Sequence, residues 1–439
     1  MKRRRPVPGG ENEVKQMRTL REGMSGTDVM ELQALLRKLG YDPGPIDGIF
    51  GSRMRAAVSR FQRDFGLTPD GIIGPATYRA MERYLLGYDR YTIRPGDTFY
   101  NIARRYHTNL TLLMAANPGL TPQNLQIGRQ IVVPYGIDVV DTDISYTYEV
   151  LQRDIQGLKA RYPFLQVGSA GKSVLGKDLT YIRLGTGPRQ VFYNGAHHSL
   201  EWITTPVLMK FIEDFAKAYA LGTTLRGYNP RALAAEVSIY VLPMVNPDGV
   251  DLVLNGLQPG NPYANDLIRW NNGSTDFSRN WQANIRGVDL NHNYNAEWET
   301  SKQYEAEYGI TGPGPTRYGG TAPESEPESK AVADFTRSHN FRLVMAYHSQ
   351  GQLIYWDFMN LAPPEARTIG RQLSQASGYL LDETAGIASY AGYKDWFIQQ
   401  YRRPGYTIEV GRGRNPLPIS QFDTIYRDNL GMLLLASTL

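Results

Sequence analysis

Six histidines are scattered through this 439-residue chain, and two of them stand where they could do chemistry with nearby acids. The run Asn194-Gly195-Ala196-His197-His198-Ser199-Leu200-Glu201-Trp202 places His198 and Glu201 three residues apart. If a helix begins here the two share one face. Imidazole with carboxylate suits zinc in a chain that lacks thiolates. There is no cysteine, which also excludes disulfides and a cysteine nucleophile. A His-x-x-Glu pair is common by chance, and a histidine satisfied inside a core is the competing reading. His348, closing the apolar run Leu343-Val344-Met345-Ala346-Tyr347, offers a third donor. Two histidines and a glutamate with a fourth position open form the ligand set of a hydrolytic zinc site. Two more motifs carry acids: Gly287-Val288-Asp289-Leu290-Asn291-His292-Asn293, and Tyr406-Thr407-Ile408-Glu409-Val410-Gly411, where Glu409 falls at a strand end. His197 is expected to pack or hydrogen-bond beside a ligand, not to bind metal.

The elements that must position these groups lie between residues 144 and 439. Strand-like runs at 191–193, 237–242, 343–347 and 406–410 alternate with helical ones at 205–218, 326–338 and 364–376. That alternation predicts an α/β fold, a mixed, mainly parallel sheet covered by helices. In such sheets chemistry collects at the carboxyl ends of the strands, which is where His198, His348 and Glu409 fall.

Ahead of that domain the pattern changes twice. Residues 1–18 are basic and aperiodic and read as a flexible tail. Residues 19–87 are helical, with Val29, Leu32, Leu35, Leu36 and Leu39 at a 3.6-residue period, Thr27 or Asp28 as the cap and Gly40 as the stop. A second helix carries Ala57, Phe61 and Phe65. Two similar turns, Asp47-Gly48-Ile49-Phe50-Gly51 and Asp70-Gly71-Ile72-Ile73-Gly74, are structural: Asp-Gly supplies positive φ, and the aliphatic residue after it is expected to plug the space between helices. One aspartate per loop is too few ligands for calcium. Residues 88–136 read as strand, helix, helix, strand (βααβ), with Gly96-Asp97-Thr98 turning into the first helix and Ile131-Val132-Val133-Pro134 returning.

The balance of 47 basic against 43 acidic residues leaves a net +4, too little to argue for nucleic acid. No run approaches the ~18 apolar residues of a membrane span. Met1-Lys2-Arg3-Arg4-Arg5-Pro6 has no apolar segment behind it, so a conventional secretion signal is not expected.

Three resemblances organise these readings. Residues 19–87, with Leu32-Gln33, Leu39-Gly40-Tyr41, Phe61-Gln62 and Gly66-Leu67, resemble the three-helix peptidoglycan-binding module of bacterial wall enzymes. Residues 88–136, with Gly96-Asp97-Thr98 and Asn117, resemble a LysM domain, a module that binds N-acetylglucosamine-containing glycans. Residues 144–439 resemble zinc metallocarboxypeptidases of the carboxypeptidase A type. That likeness implies one zinc per catalytic domain, held by His198, Glu201 and His348. It implies Glu409 as the carboxylate that activates water, and Asp289 as the acceptor that orients His198.

The departures bear on substrate. Family members that grip a C-terminal carboxylate have Asn-Arg where this chain has Asn291-His292, and histidine has no bidentate fork. Gln282 falls where many relatives place a basic oxyanion donor, so zinc, Gln282, Arg279 or Arg286 is left to cover that task. Tyr390-Ala391-Gly392-Tyr393-Lys394-Asp395-Trp396 matches the segment that lines the specificity pocket. Lys394 there would favour a carboxylate-ended side chain, with Tyr390 and Tyr393 nearby; a surface lysine is the competing reading. His197–Pro206, Val288–Tyr294 and the two wall modules together resemble γ-D-glutamyl-L-diamino acid endopeptidases of spore-forming bacteria. The resemblance implies cleavage of peptidoglycan stem peptides between γ-D-glutamate and meso-diaminopimelate, by an enzyme associated with the cell wall or spore, or acting within the mother cell. The modules are expected to act as tethers that leave the chemistry untouched. The rival expectations are an exo-acting carboxypeptidase on ordinary peptides and a non-catalytic wall-binding protein.

Overall fold

The computed structural model describes residues 18–384 and 386–439. The basic segment read as a tail falls outside the described residues except for Arg18. The chain forms two compact units, one ending at Tyr84 and the other running Leu85–Leu439.

The first unit holds three helices, α1 (Thr27–Lys38), α2 (Ser52–Asp64) and α3 (Pro75–Leu85). Neither Thr27 nor Asp28 caps α1. Gly26 does, with no side-chain hydrogen bond, because Asp28 is drawn into an ion pair with Arg18 at 2.7 Å. Each Asp-Gly turn is clamped by a buried glutamine from the preceding helix. The Gln33 amide donates to Asp47 Oδ1 (2.9 Å) and the Ile49 carbonyl (3.0 Å) and accepts from the Gly48 amide (2.8 Å). Gln62 repeats this with Asp70, Ile72 and Gly71. Gly48 and Gly71 hold φ of 73° and 74°, where a side chain would be strained. The clamp faces the first apolar residue outward: Ile49 is 57% exposed, while Phe50 and Ile73 fill the core. The plug is therefore the second apolar residue of each turn, not the first as expected.

The second unit opens with two antiparallel strands, β1 (Tyr88–Thr92) and β2 (Gln130–Pro134), enclosing α4 (Phe99–Arg105) and α5 (Leu110–Ala115). Thr98 caps α4 as expected, accepting from the Asn101 amide at 3.1 Å. Asn117 joins the end of α5 to β2, donating to the Leu113 and Val132 carbonyls and accepting from the Val132 amide. This module is seated on the rest of the unit. A Cβ on Gly157 of α6 (Tyr148–Arg161) would meet the Leu86 carbonyl oxygen at 2.4 Å, and α5 lies against α7 (Thr204–Leu221). Residues 137–143 continue along α7. The Val139 and Val140 amides donate to the buried Glu213 at 2.6 and 3.3 Å. Asp138 pairs with Lys210 and Lys217 at 2.9 and 2.8 Å.

The main sheet has eight strands: β3 (Gln166–Lys172), β4 (Asp178–Leu184), β5 (Arg189–Gly195), β6 (Val237–Leu242), β7 (Phe341–His348), β8 (Leu353–Tyr355), β9 (Leu380–Asp382) and β10 (Gly405–Glu409). Their spatial order is β3-β4-β6-β5-β7-β10-β8-β9. The central β6, β5, β7 and β10 run parallel, while β4 and β8 flank them antiparallel. Helices cover both faces of the centre, so β6 is buried at every residue and reads as an apolar run without alternation.

Candidate metal centre and active site

Three chain segments meet at the carboxyl ends of β5, β7 and β10. After β5 the backbone turns sharply at Ala196, a non-glycine residue at φ 53°, and His198 then stands at the head of a 3-10 turn, Ser199–Glu201. The helix proper starts only at Thr204, so the shared face of His198 and Glu201 comes from 3-10 geometry, in which residues three apart eclipse. Thr204 fixes the corner: its hydroxyl accepts from the Ala196 amide (2.9 Å) and donates to the Glu201 carbonyl (2.8 Å). His348 ends β7 and pairs in register with Glu409 at the end of β10, which puts the two side chains side by side.

One donor atom from each of His198, Glu201 and His348 falls within 4.8 Å of the others. His198 Nδ1 lies 3.0 Å from Glu201 Oε1, His348 Nδ1 lies 2.9 Å from Glu201 Oε2, and the two nitrogens are 3.3 Å apart. His198 Nε2 meets Asp289 Oδ1 at 3.0 Å, which holds its proton on that nitrogen and leaves Nδ1 as a lone-pair donor. Lone pairs and a carboxylate crowded together in this way are what a cation satisfies, and the set fits zinc.

The surrounding charges are strongly coupled. Burial alone would raise the Asp289 carboxyl, yet the neighbouring His198 and His292 hold it well below the usual carboxylate range. Burial likewise opposes charge on His198, but Glu201 and Asp289 overcome it and raise its proton affinity. Glu409 is pushed well above the ordinary range, first by loss of water and then by the charge of Glu201. His197 is neutral: burial, then repulsion from His348 and His198, depress it. It bonds the Tyr294 hydroxyl through Nε2 at 2.9 Å and stacks on His348, the packing role expected for it.

Two residues that the sequence reading missed complete the centre. Asn415 donates to Glu201 Oε1 at 3.2 Å and to the Ser349 carbonyl at 2.7 Å, while the Ser349 hydroxyl donates to Asn415 Oδ1 at 2.7 Å. Neither carried a signal, because the pair is 66 residues apart in sequence and Asn415 lies 214 from Glu201.

The remaining expected site residues stand in different surroundings. Asn291 and His292 follow Asp289 on a short turn, and Asn291 Oδ1 accepts from the Tyr393 amide at 3.0 Å, tying that turn to the segment expected to line the pocket. Gln282 is held by Thr316, whose hydroxyl donates to Gln282 Oε1 at 2.6 Å and lies 3.4 Å from Asp289. Tyr390 stacks on Tyr304 at 5.5 Å. Lys394 is no surface lysine: it is buried, bonded to the Asp357 carbonyl and paired with Asp395, both at 2.6 Å. Two expectations are corrected. Arg286 is bound to Glu326 at 2.8 Å, so its guanidinium is committed elsewhere. Tyr393 points into the core, fully buried against Phe192, Tyr294 and Trp396 with its hydroxyl on Thr336, because it opens the helix Tyr393–Tyr401 on the inward face.

The chain matches the zinc carboxypeptidase family over residues 151–432, a peptidoglycan-binding domain over 25–81 and a LysM domain over 91–134. It is 45% identical to gamma-D-glutamyl-L-diamino acid endopeptidase 1 of Lysinibacillus sphaericus over 394 residues, 78% of this chain and 98% of the relative. It is 33% identical to the Bacillus subtilis protein YqgT over 317 residues, covering 71% of this chain and 83% of that one. Among solved structures, carboxypeptidase A from Helicoverpa armigera superposes with a TM-score of 0.52 at 18% identity, over 89% of this chain and 87% of that one, a likeness of fold alone. The α/β sheet, the domain matches and the length of the first relative covered agree: the chain belongs to the zinc carboxypeptidase family, as a metallopeptidase that also carries a peptidoglycan-binding and a LysM domain.

Proposed function

We propose that this enzyme hydrolyses peptidoglycan stem peptides at the bond between γ-D-glutamate and meso-diaminopimelate, with zinc held by His198, Glu201 and His348. The observation that carries the reading is the extent of the likeness to an endopeptidase named for that chemistry, 98% of its length at 45% identity, together with two wall-binding domains. When bound, zinc supplies Lewis-acid polarisation of the scissile carbonyl and acidifies the attacking water. Glu409 takes the proton of that water and returns it to the leaving amine; its raised proton affinity, set by burial and Glu201, suits a group that must both accept and release. Asp289 holds His198 in the ligating tautomer, and Asn415 steadies Glu201. Gln282, its carbonyl oxygen committed to Thr316, is left with its amino group as a donor toward the developing oxyanion. The buried Lys394–Asp395 pair is matched within itself, so it shapes the segment expected to line the pocket and offers no free charge to the diaminopimelate end. His292, in place of the family's arginine, has no bidentate fork for a carboxylate. The binding domains hold the enzyme on the wall and raise local substrate concentration.

Digestion of purified stem peptides, with the cleaved bond identified by mass spectrometry, tests the reading. A cut between γ-D-glutamate and the diamino acid is expected. Release of C-terminal residues from ordinary peptides, with stem peptides left intact, would replace it with the exo-acting alternative.

A further inference from the structure

Arg317 is a cation beside the site with no acid of its own among the described residues. Its segment is tied to the turn bearing Asp289 and His292 at successive residues. The Gln282 and Ala283 amides donate to the Pro315 carbonyl at 2.8 and 3.0 Å, the Arg317 amide to Asp289 Oδ2 at 2.8 Å, and the Asp289 amide to the Tyr318 carbonyl at 2.8 Å. Gly319 passes so close to His292 that a Cβ would come within 2.4 Å of its carbonyl oxygen. Arg317 itself sits at φ 66°, the left-handed region that costs a non-glycine residue energy and recurs at functional positions. Of the neighbouring cations, Arg286 is paired with Glu326, Lys302 with Glu305 and Lys394 with Asp395. Arg317 has no carboxylate partner among the described residues, is exposed, and rests 5.5 Å from the ring of Tyr308. Tyr308 lies one helical turn beyond Tyr304, which stacks on Tyr390. The guanidinium thus rests against Tyr308, on a backbone pinned to the Asp289–His292 turn.

We propose that Arg317 grips a carboxylate of the diamino acid that leaves, supplying from the 314–319 segment the fork that His292 lacks. The proposal rests on the stem-peptide reading above. A guanidinium binds a carboxylate through two parallel hydrogen bonds, and a backbone pinned to Asp289 fixes where that fork begins.

The test uses full-length, zinc-loaded enzyme and two substrates, L-alanyl-γ-D-glutamyl-meso-diaminopimelate and the same tripeptide with the α-carboxylate of its last residue amidated. Wild type is expected to prefer the free acid. Arg317→Met is expected to lower kcat/KM on the acid by roughly 10- to 100-fold, chiefly through KM, and to leave the amide within about twofold. Arg317→Lys should recover part of the loss, since it restores charge without the fork. Arg317→Gly, which suits the left-handed backbone, replaces the methionine variant should that one fail to fold. Equal wild-type rates on acid and amide, or equal losses on both in the variant, would overturn the proposal. Cleavage of neither tripeptide by wild type would overturn the stem-peptide reading itself, and the proposal with it.

Discussion

Asp289→Asn isolates how a residue outside the ligand set prepares the ligand His198. Asp289 Oδ1 meets His198 Nε2 (3.0 Å) and the Asn291 amide (3.2 Å), while Oδ2 takes the Arg317 amide (2.8 Å). All three are donors, so a carboxylate can serve every one and a carboxamide cannot. If asparagine keeps its oxygen on Arg317, its amino group faces His198 and forces the proton onto Nδ1, the nitrogen that points at Glu201. If it turns the other way, His198 keeps its tautomer but loses the charge that strengthens it, and the Arg317 amide is left unpaired. Either way, zinc affinity is expected to fall by roughly 10- to 100-fold, the usual cost of losing such a partner and equal to about 1.4–2.7 kcal/mol. The zinc-free fold should lose no more than about 1–3 kcal/mol, one unsatisfied amide. Competition against a chelator of known affinity reads the first quantity, and calorimetry in excess chelator reads the second. A variant that binds zinc within about threefold of wild type would refute the reasoning, since the orientation of His198 would then not depend on Asp289.

Glu409→Gln should retain zinc while kcat falls by at least ~10²-fold, measured by steady-state kinetics on soluble stem peptide; near-normal turnover would move the base elsewhere. Lys394→Met removes the partner of buried Asp395, so it should lower unfolding free energy by about 3–5 kcal/mol in addition to any change in substrate preference; denaturant unfolding at unchanged stability would mean that Asp395 finds another cation. Glu213→Ala leaves the Val139 and Val140 amides without their acceptor, and a loss of about 2–5 kcal/mol is expected by calorimetry; no loss would mean that residues 137–143 do not belong to the catalytic unit's fold. The Glu328 carboxyl is raised from 4.5 to about 7, by burial first and then by Asp248, against the backbone and Asn284 bonds that lower it. The folded state therefore holds this proton more tightly than the unfolded chain, so stability should fall as pH rises from about 4.5 to 7, by up to ~3 kcal/mol. Glu328→Gln should flatten that part of the stability profile; an unchanged slope would assign it to other groups.

What the sequence determined by itself was whatever local spacing encodes. His198 and Glu201 lie within one turn of each other, and His348 and Glu409 each close an apolar run, so donor type, strand end and metal chemistry were readable together. The helix and strand periods of the three domains were equally local, as was the Thr98 cap. The 3-10 start of the ligand turn was not, since a spacing of three reads the same in either helix. Only tertiary structure decided which charges are free. Lys394 and Arg286 look alike in sequence, yet each is matched to an acid, while Arg317, unremarked in the sequence, has none among the described residues. Tyr393 turned inward and Ile49 outward because a helix start and a glutamine clamp set their directions, and neither leaves a periodic trace. Asn415 on Glu201, and the contact of Gly157 with Leu86 just ahead of the LysM module, join residues far apart in the chain. Such contacts depend on how elements pack, and packing is a property of pairs of segments that no single segment carries.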